Sequence, residues 1–160
     1  MRLTVAAVGR LKAGPERLLA EGYRDRAAKA GRAIGFRGLD VVEIEESRSR
    51  DAARRRVEES IAIATLVPEG AALAVLDARG ESLASKAFAE TLRRWRDDGR
   101  ADAMFVIGGP DGIAPNVRDQ ADLILSFGSQ TWPHQLVRIM LLEQLYRAIT
   151  ILAGHPYHRE

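Results

Sequence analysis

The stretch of sequence that decides the fold is residues 123–160, LILSFGSQTWPHQLVRIMLLEQLYRAITILAGHPYHRE. It contains a short apolar strand, a polar loop, a long apolar helix opened by Pro133, and a tail that ends in HPYHRE. All 3 histidines of the chain lie within it. Terminal segments usually fray and drift in composition. Because this tail places His, Tyr and Arg side chains directly after an apolar helix, we expect it to be ordered and to take part in function.

In the rest of the chain, apolar strands alternate with helices. The strands are continuous apolar runs, which is typical of strands that are covered on both faces. The sequence therefore predicts an α/β fold, with a parallel sheet and helices on both of its faces. Ser47 or Ser49 is predicted to cap the second helix, and Ser85 the third. The predicted strands are residues 3–8, 39–44, 73–76, 103–107 and 123–127, and the predicted helices are residues 15–30, 50–66, 85–97, 115–121 and 133–153.

The composition is that of an ordinary globular protein, with 46% hydrophobic and 29% charged residues in a length of 160. This length favours one domain over residues 1–160. The chain has no cysteine, so disulfides and thiolate metal sites are excluded. No apolar run approaches the ~18–20 residues that span a bilayer, and residues 1–12 are typical of a buried strand rather than a signal peptide. We expect a cytoplasmic protein with no membrane partner.

Three strand ends carry residues that suit ligand binding. In open α/β sheets, ligands bind beyond the carboxyl ends of the strands, which are here residues 76–77, 108–112 and 127–132. The turn Gly-Gly-Pro-Asp-Gly at 108–112 lets a ligand approach the backbone, although a tight turn alone would also need glycine. It matches neither G-x-G-x-x-G nor a Walker loop, and Pro110 removes one N–H donor. A dinucleotide or nucleoside triphosphate is therefore disfavoured, and a smaller nucleoside-like ligand stays open.

The last helix is apolar on most sides, more than one sheet face can cover. This pattern indicates a second covering partner, most simply another copy of the chain. Arg138 projects from the apolar part, so it needs a partner or a ligand there. Glu143 and Arg147 have the i, i+4 spacing of an ordinary surface ion pair.

The histidines also raise the alternatives of a metal site and of a serine hydrolase, which the rest of the sequence does not support. His155, His158 and Glu160 have the side chains of a metal site, but no other ligand cluster accompanies them, so we expect no metal. A serine hydrolase would need a G-x-S-x-G elbow, which is absent from the sequence. His134 follows Trp132-Pro133 and suits a capping or hydrogen-bonding role in the first helical turn.

Basic residues fall into two clusters, which raises the expectation of a phosphate-bearing partner on a chain of pI about 9.3. Each cluster alone would also suit a solvated helix face. The chain shows no recognisable RNA-binding module and few aromatic residues for base stacking, which argues against sequence reading of free single strands. The clusters are Arg48, Arg50, Arg54, Arg55 and Arg56, and then Arg93, Arg94, Arg96 and Arg100, with Lys86 between them.

Three motifs together resemble one known family. They are IGGPDGI at 107–113, LSFGSQTWPHQLVRIMLLEQLYRA at 125–148, and the terminal HPYHRE at 155–160. This combination is similar to the bacterial ribosomal large-subunit pseudouridine methyltransferase H family, whose members are small SPOUT-class enzymes. The resemblance runs the full length of the chain, and HPYHRE at the extreme C-terminus is its most specific part.

The resemblance implies a fold whose C-terminal segment is threaded into a trefoil knot, and a homodimer packed through the last helix. It implies S-adenosylmethionine as cofactor and, as substrate, a pseudouridine in helix 69 of 23S ribosomal RNA, methylated at N3 on the assembled ribosome. Matching positions imply a cofactor site formed by Leu76, Gly108, Phe127, Gly128, Ser129, Gln130, Thr131 and Trp132. The implied catalytic residues, which would bind and orient the pseudouridine, are Tyr157, His158 and Arg159, with His134, Glu143 and Arg147 as further candidates.

Two other functions remain as alternatives. One is a non-catalytic, dimeric protein that binds RNA or the ribosome on the same scaffold, which would need neither the glycine-rich turn nor the complete tail. The other is a nucleotide-binding oxidoreductase, which the missing dinucleotide fingerprint disfavours.

Overall fold

The computed structural model describes residues 1–159, in which strands alternate with helices as predicted. The elements are β1 (Arg2–Val8), α1 (Pro15–Gly31), β2 (Gly38–Ile44), α2 (Ala52–Leu66), β3 (Ala72–Glu81), α3 (Ser85–Asp97), β4 (Asp102–Ile107), α4 (Pro115–Arg118), β5 (Leu123–Leu125) and α5 (His134–Leu152), with a 3-10 turn at Arg32–Ile34.

The five strands form one parallel sheet in the order β2-β1-β4-β3-β5. One face packs against α1, α3 and α5, and the other against α2 and α4. Val5, Val75 and Phe105 in the sheet are completely buried, as continuous apolar strands require. The predicted α/β class is therefore confirmed, and the threading of the C-terminal segment stays a prediction.

Two predicted helix caps were wrong. Asp51 caps α2 by accepting a hydrogen bond from the Ala53 N–H, because the chain enters the helix two residues later than the serine positions require. Ser85 is already inside α3, where its hydroxyl donates to Gln144 on α5 at 2.8 Å. This serine therefore joins two helices instead of capping one.

Strand β3 is longer than predicted, since it continues from Leu76 to Glu81. The extension runs beside the segment that leaves β5, and the Ser126 N–H donates to the Glu81 carbonyl at 2.8 Å. Gly80 is required there, because a Cβ atom would lie 2.4 Å from the carbonyl oxygen of Ile124. The extra pairing fixes the start of the polar loop that follows β5.

The last helix is covered mainly by its own chain. Leu141, Leu142 and Leu145 are completely buried, and Arg138 donates to the Glu43 carboxylate and to the Gly9 carbonyl. The predicted need of Arg138 for a partner is thus met by an internal ion pair.

Three large apolar side chains remain exposed on α1 and α5, namely Leu18 (72% exposed), Leu19 (47%) and Leu136 (41%). Among the helices of residues 1–159, none combines the length and the hydropathy that crossing a bilayer would require.

Candidate functional site

The three strand ends singled out from the sequence meet in one cleft of about 390 Å³ at the carboxyl edge of the sheet. The cleft lies beyond β3, β4 and β5, and the first turn of α5 closes one side. Predicted residues that line it are Leu76, Gly108, Phe127, Gly128, Gln130, Thr131, Trp132 and His134. Of the predicted cofactor residues, Ser129 alone is not in contact with the cleft in the described structure. The predicted cofactor residues therefore lie together, and their role in cofactor binding stays a prediction.

One wall of the cleft is the turn after β4, which we call the glycine loop (residues 108–114). Its turn is closed by a hydrogen bond of 2.9 Å from the Gly112 N–H to the Gly109 carbonyl. Gly112 has φ of +82°, a conformation that side chains disfavour. A Cβ atom on Gly108 would lie 2.5 Å from Cγ1 of Ile113, so glycine is needed for packing as well. The wall is thus mainly backbone.

The opposite wall is the loop after β5. The buried Ser126 hydroxyl accepts from the Gly128 N–H at 3.1 Å, and Gly128 has φ of +102°. The Trp132 indole N–H donates to the Phe127 carbonyl at 3.3 Å, which closes the loop on itself. Apolar rings and backbone groups therefore face the glycine loop across the cleft.

Asp77 and Asp111, which lie in the predicted strand ends, line the cleft, whereas the charged neighbour Arg79 was missed from the sequence. The Asp77 carboxylate is 14% exposed and accepts from the Arg79 guanidinium at 2.8 and 3.0 Å, and Arg118 lies 3.7 Å away. Hydrogen bonds from Arg79 lower the pKa of Asp77 to about 2, which keeps the carboxylate ionised. The position of Asp77 directly after a buried strand was the available signal.

His134 is the first residue of α5 and reaches the cleft with Val137. The capping role considered from the sequence is not seen, since Pro133 holds the cap position and no side-chain cap hydrogen bond forms. The imidazole is exposed and faces the space between the two loops.

The tail packs back onto α5. The Tyr157 hydroxyl donates to Glu143 at 3.0 Å, and its ring centroid lies 4.6 Å from that of Tyr146. Arg147 is bonded to Glu143 and lies 3.4 Å from the His158 Nδ1 atom. Burial, together with hydrogen bonds to Tyr23 and Glu143, raises the pKa of Tyr157, so its hydroxyl stays protonated at neutral pH.

The predicted catalytic residues are therefore divided between two places. His134 lies in the cleft, whereas Tyr157 and His158 lie against the middle of α5, beside Glu143. From His134 to Glu143 a helix rises by about 14 Å. Arg159 is exposed at the end of the described residues, and neither it nor the rest of the tail lines the cleft of its own chain.

The histidine-rich tail was also weighed as a metal site. Within residues 1–159, no group of three or more His, Cys, Asp or Glu side chains is arranged to hold a metal ion. Glu160, the third residue considered for that site, lies outside the described residues.

Known proteins resemble this chain over its full length. The family model described as "Predicted SPOUT methyltransferase" matches residues 1–158. The ribosomal RNA large subunit methyltransferase H of Rhodopseudomonas palustris strain HaA2 is 65% identical over 99% of both chains. The protein of the same name in Nitrobacter winogradskyi is 61% identical, also over 99% of both chains.

One solved structure that the chain resembles has a much lower sequence identity. The SpoU methyltransferase AviRb of Streptomyces viridochromogenes, solved with AdoMet, is 14% identical, with a TM-score of 0.44 over 96% of this chain and 61% of the other. This likeness is too remote to support a statement about function. The family match and the full-length relatives instead show that the chain belongs to the SPOUT methyltransferases, together with the ribosomal RNA large subunit methyltransferases H.

Proposed function

We propose that this chain transfers a methyl group from S-adenosylmethionine to the ribosomal RNA of the large subunit, at N3 of a pseudouridine in helix 69 of the assembled ribosome. The observation that carries the proposal is the single cleft in which the three strand-end loops meet. The relatives' shared name, ribosomal RNA large subunit methyltransferase H, supports the substrate class. The specific nucleotide rests on the resemblance of the three sequence motifs.

The cleft suits S-adenosylmethionine in size and in chemistry. Small-molecule sites occupy about 300–1,000 Å³ and combine apolar walls with a few placed polar groups. Here Leu76 and Phe127 supply apolar surface, the glycine loop supplies backbone groups, and Asp77 supplies a fixed negative charge. When bound, the cofactor supplies an electrophilic methyl group on a positively charged sulfur. The task of the chain is to hold that methyl group in line with the target nitrogen.

The target nitrogen must also lose its proton, since a protonated imide nitrogen is a poor nucleophile. Asp77 is a weak proton acceptor because Arg79 holds its pKa near 2. Tyr157 keeps its proton, because burial and its hydrogen bonds raise its pKa. Of the predicted catalytic residues, His134 lines the cleft of its own chain, and we assign proton acceptance to its imidazole.

A second copy of the chain would complete the site. A groove beside α5 is lined by Leu19, Leu83 and Met140, and also by Phe127 of the cleft and Glu143, the partner of the tail. In a two-fold dimer the same patch covers itself. If the two α5 helices cross antiparallel over this groove, the tail of each chain reaches the cleft of its partner.

The two arginine clusters now differ in their suitability for RNA. Arg48 and Arg50 are exposed in the segment after β2, at the same sheet edge as the cleft. Arg96 and Arg100 lie at the opposite edge, where they donate to the carbonyls of Ile34 and Gly70. We assign contact with the RNA phosphates to Arg48 and Arg50. We place the protein in the cytoplasm, where ribosomes are assembled.

Calorimetry with S-adenosylmethionine, followed by labelled methyl transfer to assembled ribosomes and to naked ribosomal RNA, tests the proposal. We expect cofactor binding and label in the large-subunit RNA of ribosomes only. A protein that binds ribosomes but not the cofactor would instead be the non-catalytic binder considered above.

A further inference from the structure

Helix α2 lies on the far side of the glycine loop from the cleft and contacts that loop at three points. The Ser60 hydroxyl accepts from the Ala114 N–H at 2.9 Å, in a fully buried hydrogen bond. Glu59, only 4% exposed, lies so close to Gly109 that a Cβ atom there would be 2.5 Å from its Oε2 atom. The tip of the loop, Asp111, is held by Arg55. Arg55 and Glu59 are four positions apart and share one face of α2, and Ser60 follows directly, so neighbouring side chains of one helix support the whole loop.

The contact at the tip is the most specific of the three. Arg55 Nε and Nη2 donate to the two carboxylate oxygens of Asp111 at 2.7 and 3.1 Å. Both side chains are partly buried, at 29% and 21% exposure. Such parallel hydrogen bonds fix orientation as well as distance, which a single contact does not. The pKa of Asp111 is lowered chiefly by this hydrogen bond.

The remaining nitrogen of Arg55 is also occupied within the chain. Nη1 donates to the carbonyls of Ser49 and Arg50 at 2.9 and 3.1 Å. All three guanidinium nitrogens therefore have partners in the fold, and the group is not available as a phosphate contact. The neighbouring Arg54 differs, because its side chain is 72% exposed and pairs with Glu58 on the same helix.

We propose that Arg55 is a positioning residue for cofactor binding, which acts by holding Asp111 and with it the backbone of the glycine loop in the shape that S-adenosylmethionine requires. The inference rests on the proposed function. It adds a residue outside the cleft that acts on the cofactor through the glycine loop. Without the two hydrogen bonds between Arg55 and Asp111, the loop keeps its support at Gly109 and Ala114. It loses its support at the tip, where the loop is most exposed.

The test is a double-mutant cycle with Arg55→Gln, Asp111→Asn and both together, and Arg54→Gln as the matched control. We expect each single variant to raise the Kd and the KM for S-adenosylmethionine about tenfold, with kcat at saturating cofactor changed by less than about twofold. The KM for ribosomes should stay within about twofold in Asp111→Asn, which leaves the bonds from Arg55 to Ser49 and Arg50 in place. The double variant should be no worse than either single one, because both remove the same contact. Arg54→Gln should leave cofactor affinity unchanged, and Arg55→Lys should recover little, since an ammonium cannot form two parallel bonds.

Three results would overturn the inference. One is an unchanged Kd for the cofactor in Arg55→Gln. Another is a loss confined to the KM for ribosomes, which would make Arg55 an RNA contact. The third is additive losses in the cycle, which would mean that Asp111 meets the cofactor directly. If Arg55→Gln does not fold, Asp111→Asn and Asp111→Glu carry the comparison. A wild-type protein that binds no cofactor would refute the proposed function and not this inference alone.

Discussion

Asp77, in the extended part of β3, is a charged residue that the fold holds in the cleft. Its folded pKa of about 2 lies below the ordinary value of 3.8, so the carboxylate contributes stability above the ordinary pKa and loses it as the pH falls towards 2. Arg79 is 69% exposed, and solvent screening keeps that contribution small.

We therefore predict that Asp77→Asn lowers the free energy of unfolding at pH 7 by no more than about 1 kcal/mol. The difference from wild type should shrink as the pH falls from about 4 towards 2, because the wild-type carboxylate takes up its proton over that range. Urea unfolding at a series of pH values measures it, with the exposed Asp119→Asn as control. A difference that grows in acid would contradict the assigned sign. The same variant should weaken cofactor binding, since Arg79 then faces the cleft unpaired.

Tyr157 is the best-anchored residue of the tail, through the Glu143 hydrogen bond and the stack on Tyr146. We predict that Tyr157→Phe destabilises the protein by about 1–3 kcal/mol, because a hydrogen bond to a charged group is lost. The pH dependence of methyl transfer between pH 6 and 9 should keep its shape, since Tyr157 does not titrate there.

Unfolding curves and pH–rate profiles of Tyr157→Phe and Tyr146→Phe provide the comparison, because Tyr146→Phe retains the ring on which Tyr157 packs. Loss of one limb of the profile in Tyr157→Phe alone would make Tyr157 a titrating catalytic group, contrary to the raised pKa.

At the scale of helices and strands, the predictable features were those set by local pattern. The apolar runs and the Pro and Gly positions located every strand and helix, and the strand-end rule located the cleft. Side-chain contacts between separate elements of the fold were not predictable. The pair Arg55–Asp111 depends on how α2 meets the loop after β4, and it joins residues that are 56 positions apart. The caps of α2 and α3 failed for a related reason, since each serine had a competing partner.

The burial of α5 shows the same limit at a larger element. Its apolar pattern predicted a second copy, yet α1 and α3 of its own chain cover most of that surface. Side-chain periodicity indicates that a helix surface is buried, but it does not identify the element that covers it. A dimer is instead supported by the exposed apolar side chains of Leu18, Leu19 and Leu136.

The two arginine clusters make a prediction about elements. Arg48→Gln with Arg50→Gln should raise the KM for ribosomes and lower the dependence of binding on salt, because each lost phosphate contact reduces the slope of log K against log salt by about 1. Arg94→Gln with Arg100→Gln, at the opposite sheet edge, should change neither. Equal effects of both pairs would mean that RNA binding is diffuse over the surface.

For the whole molecule, the distance between the tail and the cleft of the same chain leads to a test of subunit cooperation. A protein truncated after Pro156 should fold, dimerise and bind the cofactor but fail to transfer the methyl group. His134→Ala should also be inactive. Coexpressed and randomly mixed, the two should recover about a quarter of wild-type activity, because half of the dimers then hold one intact site.

No recovery in the mixture would mean that each chain uses its own tail, and an active truncated protein would remove the tail from the mechanism. Sedimentation of both variants shows whether the dimer itself survives. That one domain covers residues 1–160, and that its C-terminal segment is knotted, stay predictions from the sequence.

The central claim, methyl transfer from a cofactor held in the carboxyl-edge cleft to the large-subunit RNA of the assembled ribosome, is tested most directly by one measurement. Ribosomes from cells that lack this methylation are incubated with the protein and methyl-labelled S-adenosylmethionine, and the label is located in the RNA. We predict label in the large-subunit RNA at one pseudouridine, on assembled ribosomes and not on naked RNA. Cofactor binding without any label in ribosomal RNA would contradict the account.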